Sequence, residues 1–173
     1  MKHGVVALCW LIASLILGAA SEGLAGELIG RVVAVSDGDT LTVLDSQKTQ
    51  HRIRLSGIDA PEKKQAFGER SRQNLASLAF GKTVTVHWYK RDRYGRLVGK
   101  VPVDGKDACL QQVIDGYAWW YRAYAKEQSL EDRRNYAAAE EGARAARRGL
   151  WYDPNPVPPW EWRRKSREDR RVR

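Results

Sequence analysis

Three short segments of this chain carry residue types able to do chemistry: Asp37-Gly38-Asp39-Thr40, then Arg54-Leu55-Ser56-Gly57-Ile58-Asp59-Ala60-Pro61-Glu62, then Asp92-Arg93-Tyr94-Gly95-Arg96. Asp39 at a hairpin end and Asp59 in a loop can share one hard cation, and oxygen ligands suit Ca²⁺ or Mg²⁺ rather than a soft metal. Arg54 and Arg96 can each grip a phosphate through paired N–H donors, which lysine does not reproduce. Glu62 is then left to orient or deprotonate water. A phosphodiester is shielded by its negative oxygens, so its hydrolysis needs a cation, donors on the equatorial oxygens and an oriented water. These residues supply that combination.

Those side chains need a scaffold that brings distant segments together. Leu28 to Val35 is valine-rich and reads as a strand; Asp37-Gly38 is a hairpin signal, and Leu41 to Leu44 returns. Gln50 to Leu55 alternates as a third strand, and Gly57 to Glu62 is a loop stiffened by Pro61. A helix follows over about Gly68 to Ala79, with Ser71, Leu75, Leu78 and Ala79 on one face, and Gly81 ends it. Thr83 to Tyr89 and Leu97 to Val103 read as two more strands. A short helix over about Ala108 to Asp115 is closed by Gly116. The last helix spans about Leu130 to Arg148, where Tyr136, Ala139, Ala143, Ala146 and Leu150 make an apolar stripe. Five strands with a helix after the third predict an α+β fold, a five-stranded OB-type Greek-key barrel with three helices.

In this order and at these separations, the three segments resemble the thermonuclease family, the staphylococcal-type nucleases. The resemblance runs from about Gly30 to Trp151 and implies the same barrel. It implies that Asp39, Asp59 and the main-chain carbonyl of Ala60 hold Ca²⁺, that Glu62 is the general base, and that Arg54 and Arg96 clamp the phosphate. Arg93 and Tyr94 fall where the family contacts a neighbouring phosphate, and Tyr121 and Tyr124 near its aromatic wall for the nucleotide. The family has threonine where this chain has Ala60; a backbone oxygen is the ligand there, so the change removes only a hydroxyl. The implied substrates are DNA and RNA, cut to products ending in a 3′-phosphate.

Each residue also has a plainer reading. Asp37 and Asp39 can be turn formers, and the turn reading is the favoured one for Asp37. Asp59 can start a turn or helix, Glu62 can be a solvated charge, and Arg54 and Arg96 can be strand-face ion pairs. Tyr94 can be core. Trp119, Trp120 and Tyr121 read first as packing aromatics and second as stacking platforms for bases. His51 and His87 are isolated strand residues that offer no competing mechanism. As whole-protein alternatives, the chain can be a non-catalytic OB module that binds nucleic acid, or an anchored surface protein whose basic tail binds anionic lipid. The first usually accompanies loss of the acidic and arginine positions, which are intact here apart from Ala60. The second leaves the carboxylates without a role.

Charge and length agree with a polyanion substrate. The chain has 173 residues and a net charge of +9, from 30 basic and 21 acidic side chains, which favours nucleic acid or an anionic surface as partner. Residues 1–25 read as a secretory signal: a basic start, an apolar run from Gly4 to Ala20, then small residues. The rival reading is an uncleaved anchor, although the run is short for a bilayer span. Residues 26–152 form the predicted barrel domain. Residues 153–173 begin with Pro154, Pro156, Pro158 and Pro159, then turn basic, and are expected to be an extended linker and a mobile tail that adds non-specific attraction. Cys9 lies in the signal, so the mature chain keeps only Cys109, expected as a buried small hydrophobe, and stability must come from the core. The expected protein is a secreted or periplasmic monomer with no stable protein partner, on the membrane only if the first segment is retained.

Overall fold

The computed structural model describes residues 25–171. The predicted signal and Cys9 lie outside the described residues. Among the described residues no helix is long and apolar enough to cross a membrane.

The barrel strands follow the valine-rich and alternating runs, but the strand expected over Leu97 to Val103 is broken at Val101, and short strands also form inside the expected loop at Ile58–Asp59 and at Lys106–Asp107 and Trp119–Trp120. They are β1 (Gly26–Asp37), β2 (Thr40–Leu44), β3 (Gln50–Leu55), β4 (Ile58–Asp59), β5 (Thr83–Arg91), β6 (Leu97–Lys100), β7 (Pro102–Val103), β8 (Lys106–Asp107) and β9 (Trp119–Trp120). Five of them close into a barrel in the order β1-β2-β3-β6-β5. All neighbours are antiparallel except β3 and β6, which run parallel with Ile53 opposite Leu97. A strand as long as β1 must bend to serve both β2 and β5, and irregularities between Val32 and Ala34 and between Val35 and Asp37 supply the bend. Gly30 sits where a Cβ would lie 2.4 Å from the Leu44 carbonyl oxygen, so only glycine lets the two strands approach there.

Four helices pack around the barrel: α1 (Gly68–Ala79), α2 (Ala108–Ile114), α3 (Leu130–Ala145) and α4 (Pro159–Arg171). The first three are the predicted ones. Leu75 and Ala79 of α1 join Val32, Leu41, Ile53 and Val86 in the barrel core. Ser129 caps α3, its side chain accepting the Asp132 N–H. The α3 stripe is shorter than predicted: Tyr136 and Ala143 are buried, but Ala146 is exposed. The helix ends there because Arg147 turns left-handed, at φ 50°. Leu150 is buried instead on a separate turn, where its N–H donates to the Gly116 carbonyl.

The largest departure is at the C-terminus. The segment expected as a mobile tail is helical from Pro159 onward. Proline suits the first turn of a helix, where its missing N–H has no partner to lose. Trp160 packs against a second apolar cluster formed by Trp119, Ala143, Leu150 and Trp151.

Candidate active site

The turn between β1 and β2 carries Asp37 and Asp39 to the rim of the barrel. Gly38 in that turn does not have a positive φ; it is needed for space, since a Cβ would lie 1.7 Å from Ser71 Oγ and 2.7 Å from Ala60 Cβ. Gln112, fully buried, donates from Nε2 to the Gly38 carbonyl at 2.6 Å and to the Ser71 carbonyl at 3.1 Å. The Leu55 N–H donates to the Asp39 carbonyl at 2.8 Å. The turn is therefore fixed from two sides before any ligand arrives.

Asp59 is placed by β4, which pairs with β9 so that Asp59 lies opposite Trp119. Its residue is 1% exposed and Asp39 is 7% exposed. Arg54, at the end of β3, lies between them: Nη1 is 2.9 Å from Asp39 Oδ2 and Nη2 is 3.2 Å from Asp59 Oδ1. Asp39 Oδ2 also accepts the Ala60 N–H at 3.0 Å. Burial works against the Arg54 charge, yet Asp39 and Asp59 outweigh it and hold the guanidinium above its usual pKa. Burial pushes the Asp59 carboxyl up; the charge of Asp39 adds to this, while Arg163 and Arg54 pull it down without offsetting the burial. Burial, and then the Asp39 charge, push Asp37 to about 7. The charge of Asp39 raises the pKa of both Asp37 and Asp59, and a hard cation at Asp39 and Asp59 would relieve that repulsion.

Among the described residues no three His, Cys, Asp or Glu side chains converge as a metal cluster. The donor set that fits a cation is two carboxylates and a main-chain carbonyl at Ala60, all hard oxygens suited to Ca²⁺ or Mg²⁺ with water completing the shell. Glu62 lies two residues beyond, its N–H donating to Gln65 Oε1 at 3.1 Å.

Arg96 reaches the same rim. Its Nε donates to Asp92 Oδ2 at 2.7 Å and its Nη1 to Thr40 Oγ1 at 3.2 Å; Thr40 in turn donates to Asp39 Oδ1 at 3.0 Å. Burial would raise the Asp92 pKa, but Arg96 and the turn N–H groups hold it below the usual range. Tyr94 is 63% exposed and is not core. Arg93 donates to its hydroxyl at 2.8 Å, so both stand at the mouth of the cleft. Tyr121 and Tyr124 meet edge to face, with centroids 5.2 Å apart, and form an aromatic lip of the same cleft. Trp119 lies apart from them, packed on Trp151 at 4.3 Å.

The cleft has a volume of about 860 Å³, and every predicted site residue lines it. Three further lining residues, Trp160, Arg163 and Arg167, come from α4. Arg163 donates to Asp59 through Nη2 at 2.7 Å and Nη1 at 3.1 Å, and to Glu62 Oε1 at 2.8 Å. The Trp160 ring stacks on Tyr121 at 5.5 Å and 27°. Asp37 is the other underestimated residue: it lines the cleft as well as making the turn. Spacing alone contained a signal for α4, since Trp160, Arg163 and Arg167 stand at i, i+3 and i+7, one face of a helix.

A closed barrel of this order, with acidic residues and arginines on one rim, is the framework of a phosphodiester-cutting enzyme. Residues 52–153 match the family model described as staphylococcal nuclease homologue. A protein named "Uncharacterized endonuclease" from Escherichia coli O157:H7 is 48% identical over 144 residues, covering 83% of this chain and 90% of the relative. One named "Micrococcal nuclease" from Shigella flexneri is 42% identical over 176 positions, covering 96% and 98%. A further "Uncharacterized endonuclease" from Haemophilus influenzae is 40% identical over 137 residues, covering 79% and 74%. The chain belongs to the staphylococcal nuclease family. Its activity is that of a nuclease, and its substrate is nucleic acid.

Proposed function

We propose that the chain is an exported, monomeric, calcium-dependent endonuclease that cuts both DNA and RNA and leaves 3′-phosphate ends. The observation that carries this reading is the convergence of Asp39, Asp59, Arg54 and Arg96 on one rim, with Arg54 bridging both carboxylates and Arg96 joined to Asp39 through Thr40. Asp39, Asp59 and the Ala60 carbonyl would hold Ca²⁺, which when bound would supply charge neutralisation for the phosphate. Arg54 and Arg96 donate to the non-bridging oxygens, and their rigid forks favour the geometry in which negative charge accumulates. Glu62 takes a proton from the attacking water. The new P–O bond forms as the bond to the 5′ oxygen breaks; the phosphate stays on the 3′ side, and the 5′ oxygen takes a proton from solvent water and leaves as a hydroxyl. Arg93 and Tyr94 steady the neighbouring phosphate, and Tyr121 and Tyr124 present ring faces to a base.

These roles recognise the phosphate, the metal and a base face, and none needs a 2′-hydroxyl. That supports the absence of a sugar preference. Export matches a weak calcium site, of about 10⁻⁴–10⁻³ M as in extracellular modules. The test is cleavage of single-stranded DNA and RNA by the chain from Gly26 onward, in calcium, magnesium and chelator, beside Glu62→Gln. Calcium-dependent cutting of both substrates, lost in the variant with binding retained, is expected. Binding without cutting under every metal would make the barrel a nucleic-acid-binding module.

A further inference from the structure

The geometry points to α4 as a built-in, displaceable plug of the active site, with Arg163 occupying the cation's pole and Trp160 the nucleotide's wall. This inference rests on the calcium and nucleotide assignments above.

Arg163 meets the residues assigned to the cation and the attacking water. Its fork spans both oxygens of Asp59 and one of Glu62, at 2.7 to 3.1 Å. Asp59 also accepts from Arg54, so both its oxygens are engaged. A calcium ion sits about 2.3–2.6 Å from its oxygen ligands. An ion at that distance from Asp59 would meet a guanidinium already hydrogen-bonded to the same atoms. Arg163 holds both Asp59 oxygens and Arg54 holds one of them, so an ion binding to that carboxylate must displace a guanidinium, and Arg163 and the ion compete. Burial works against the Arg163 charge, but Asp59 and Glu62 outweigh it, and the guanidinium stays charged throughout.

Trp160 covers the other half of the site. Its ring lies nearly parallel to Tyr121 at 5.5 Å and meets Trp119 edge-on at 5.7 Å. A stacked indole takes the place a base would take on Tyr121. One helix face thus imitates both halves of the bound state: a positive group on the carboxylates and a flat ring on the aromatic lip.

The mounting of α4 is suited to release. Pro159 is buried, Trp160, Trp162, Arg163 and Ser166 are half-buried, and the helix is exposed from Arg167 to Arg171. It is therefore held by its first two turns. The approach runs through Pro154, Pro156 and Pro158, and Gln65 donates to the Val157 carbonyl at 2.5 Å. Such a segment tethers the helix outside the barrel core, with Trp160 as its contact to the second apolar cluster.

A plug lowers apparent affinity by the fraction of molecules left open; one closed nine times in ten weakens binding about tenfold. Two variants separate charge from docking. Arg163→Gln removes the competing cation. Trp160→Ala leaves every charge in place and only loosens the helix. Calcium affinity would be measured by calorimetry without nucleic acid, and binding of a short single-stranded oligonucleotide by anisotropy in chelator. Amide hydrogen exchange across residues 160–171 would be followed with and without calcium. Both variants should tighten calcium binding, on the order of fivefold or more. Trp160→Ala should tighten the oligonucleotide, and calcium should speed exchange in α4 of the unaltered protein. Unchanged or weaker calcium and oligonucleotide binding in Trp160→Ala, with exchange in α4 unmoved by calcium, would overturn the plug and make α4 a fixed wall of the site. Should neither the parent nor the variants bind calcium, the calcium assignment falls. The plug is then decided by the oligonucleotide arm alone.

Discussion

Glu140 and Trp120 are joined by a hydrogen bond from the Trp120 N–H to Glu140 Oε1 at 3.1 Å, and this bond ties α3 to the catalytic rim. Glu140 is 1% exposed, and its other oxygen accepts from Arg122 at 2.7 Å. Trp120 belongs to β9, whose partner β4 holds Asp59. A carboxylate outside the cleft therefore sets the position of Asp59, the proposed metal ligand. Glu140→Ala should leave the Trp120 N–H unpaired and strip Arg122 and Arg144 of their partner. Both arginines are about half exposed and can turn to water, so the loss is set mainly by the unpaired Trp120 N–H, roughly 1–3 kcal/mol. The midpoint of urea unfolding should fall accordingly, and calcium affinity with it; an unchanged midpoint would show that α3 is not the anchor.

Arg54 spans Asp39 and Asp59 with separate nitrogens, a task for a planar fork. Lysine offers one point charge and can serve one carboxylate at a time. Arg54→Lys should lower kcat by about 10²-fold, as loss of a preorganised donor does, and Arg96→Lys should do likewise. Single-turnover cleavage at saturating substrate measures this directly. A loss confined to KM would mean that the arginines bind the ground state only.

Gly38→Ala tests the packing of the acidic turn. The added methyl would meet Ser71 Oγ and Ala60 Cβ at distances no relaxed contact allows. Overpacking of this kind costs typically about 1–3 kcal/mol. The turn should shift toward solvent and carry Asp39 with it, so calcium affinity should fall more than stability does. Calorimetry beside thermal melting separates the two.

Metal-free stability should fall as pH rises, because of Asp37. Its folded pKa is about 7 against an ordinary 3.8, so the folded protein favours the protonated carboxyl. The unfolded chain releases that proton near its ordinary pKa, and ionisation in the fold is resisted. The penalty is absent below the unfolded pKa and grows between the two values. A shift of this size corresponds to a few kcal/mol at most, at about 1.4 kcal/mol per pH unit. Asp37→Asn should raise the melting temperature of the metal-free protein at pH 8 and leave it nearly unchanged at pH 4. Saturating calcium should shrink the difference, because the ion supplies the missing positive charge.

The barrel and its acidic rim were legible because both are written in local signals. Valines mark β1 and apolar alternation marks β2 and β3, and Asp-Gly-Asp and Ile-Asp-Ala-Pro-Glu sit where strands end. The reason for Gly38 was not legible, since Ser71 and Ala60 crowd it only after α1 packs down. The stripe on α3 overran because periodicity cannot sense that Arg147 turns left-handed. At the C-terminus, four prolines and a run of arginines concealed a helix. Its stability comes from Trp160 against Trp119 and Arg163 against Asp59, contacts more than 40 and 100 residues apart in sequence. Composition describes a segment's own preferences; those two partners decide its conformation.

The proline-bearing strap from Asp153 to Pro158 has a consequence for concentration. A competitor on a short leash meets its target at a local concentration in the millimolar range, whatever the amount of protein in solution. Dilution of the protein leaves that local concentration unchanged. Only ligands that arrive from outside, ion and polymer, can alter the balance, so the site reports the composition of its surroundings rather than the abundance of the enzyme.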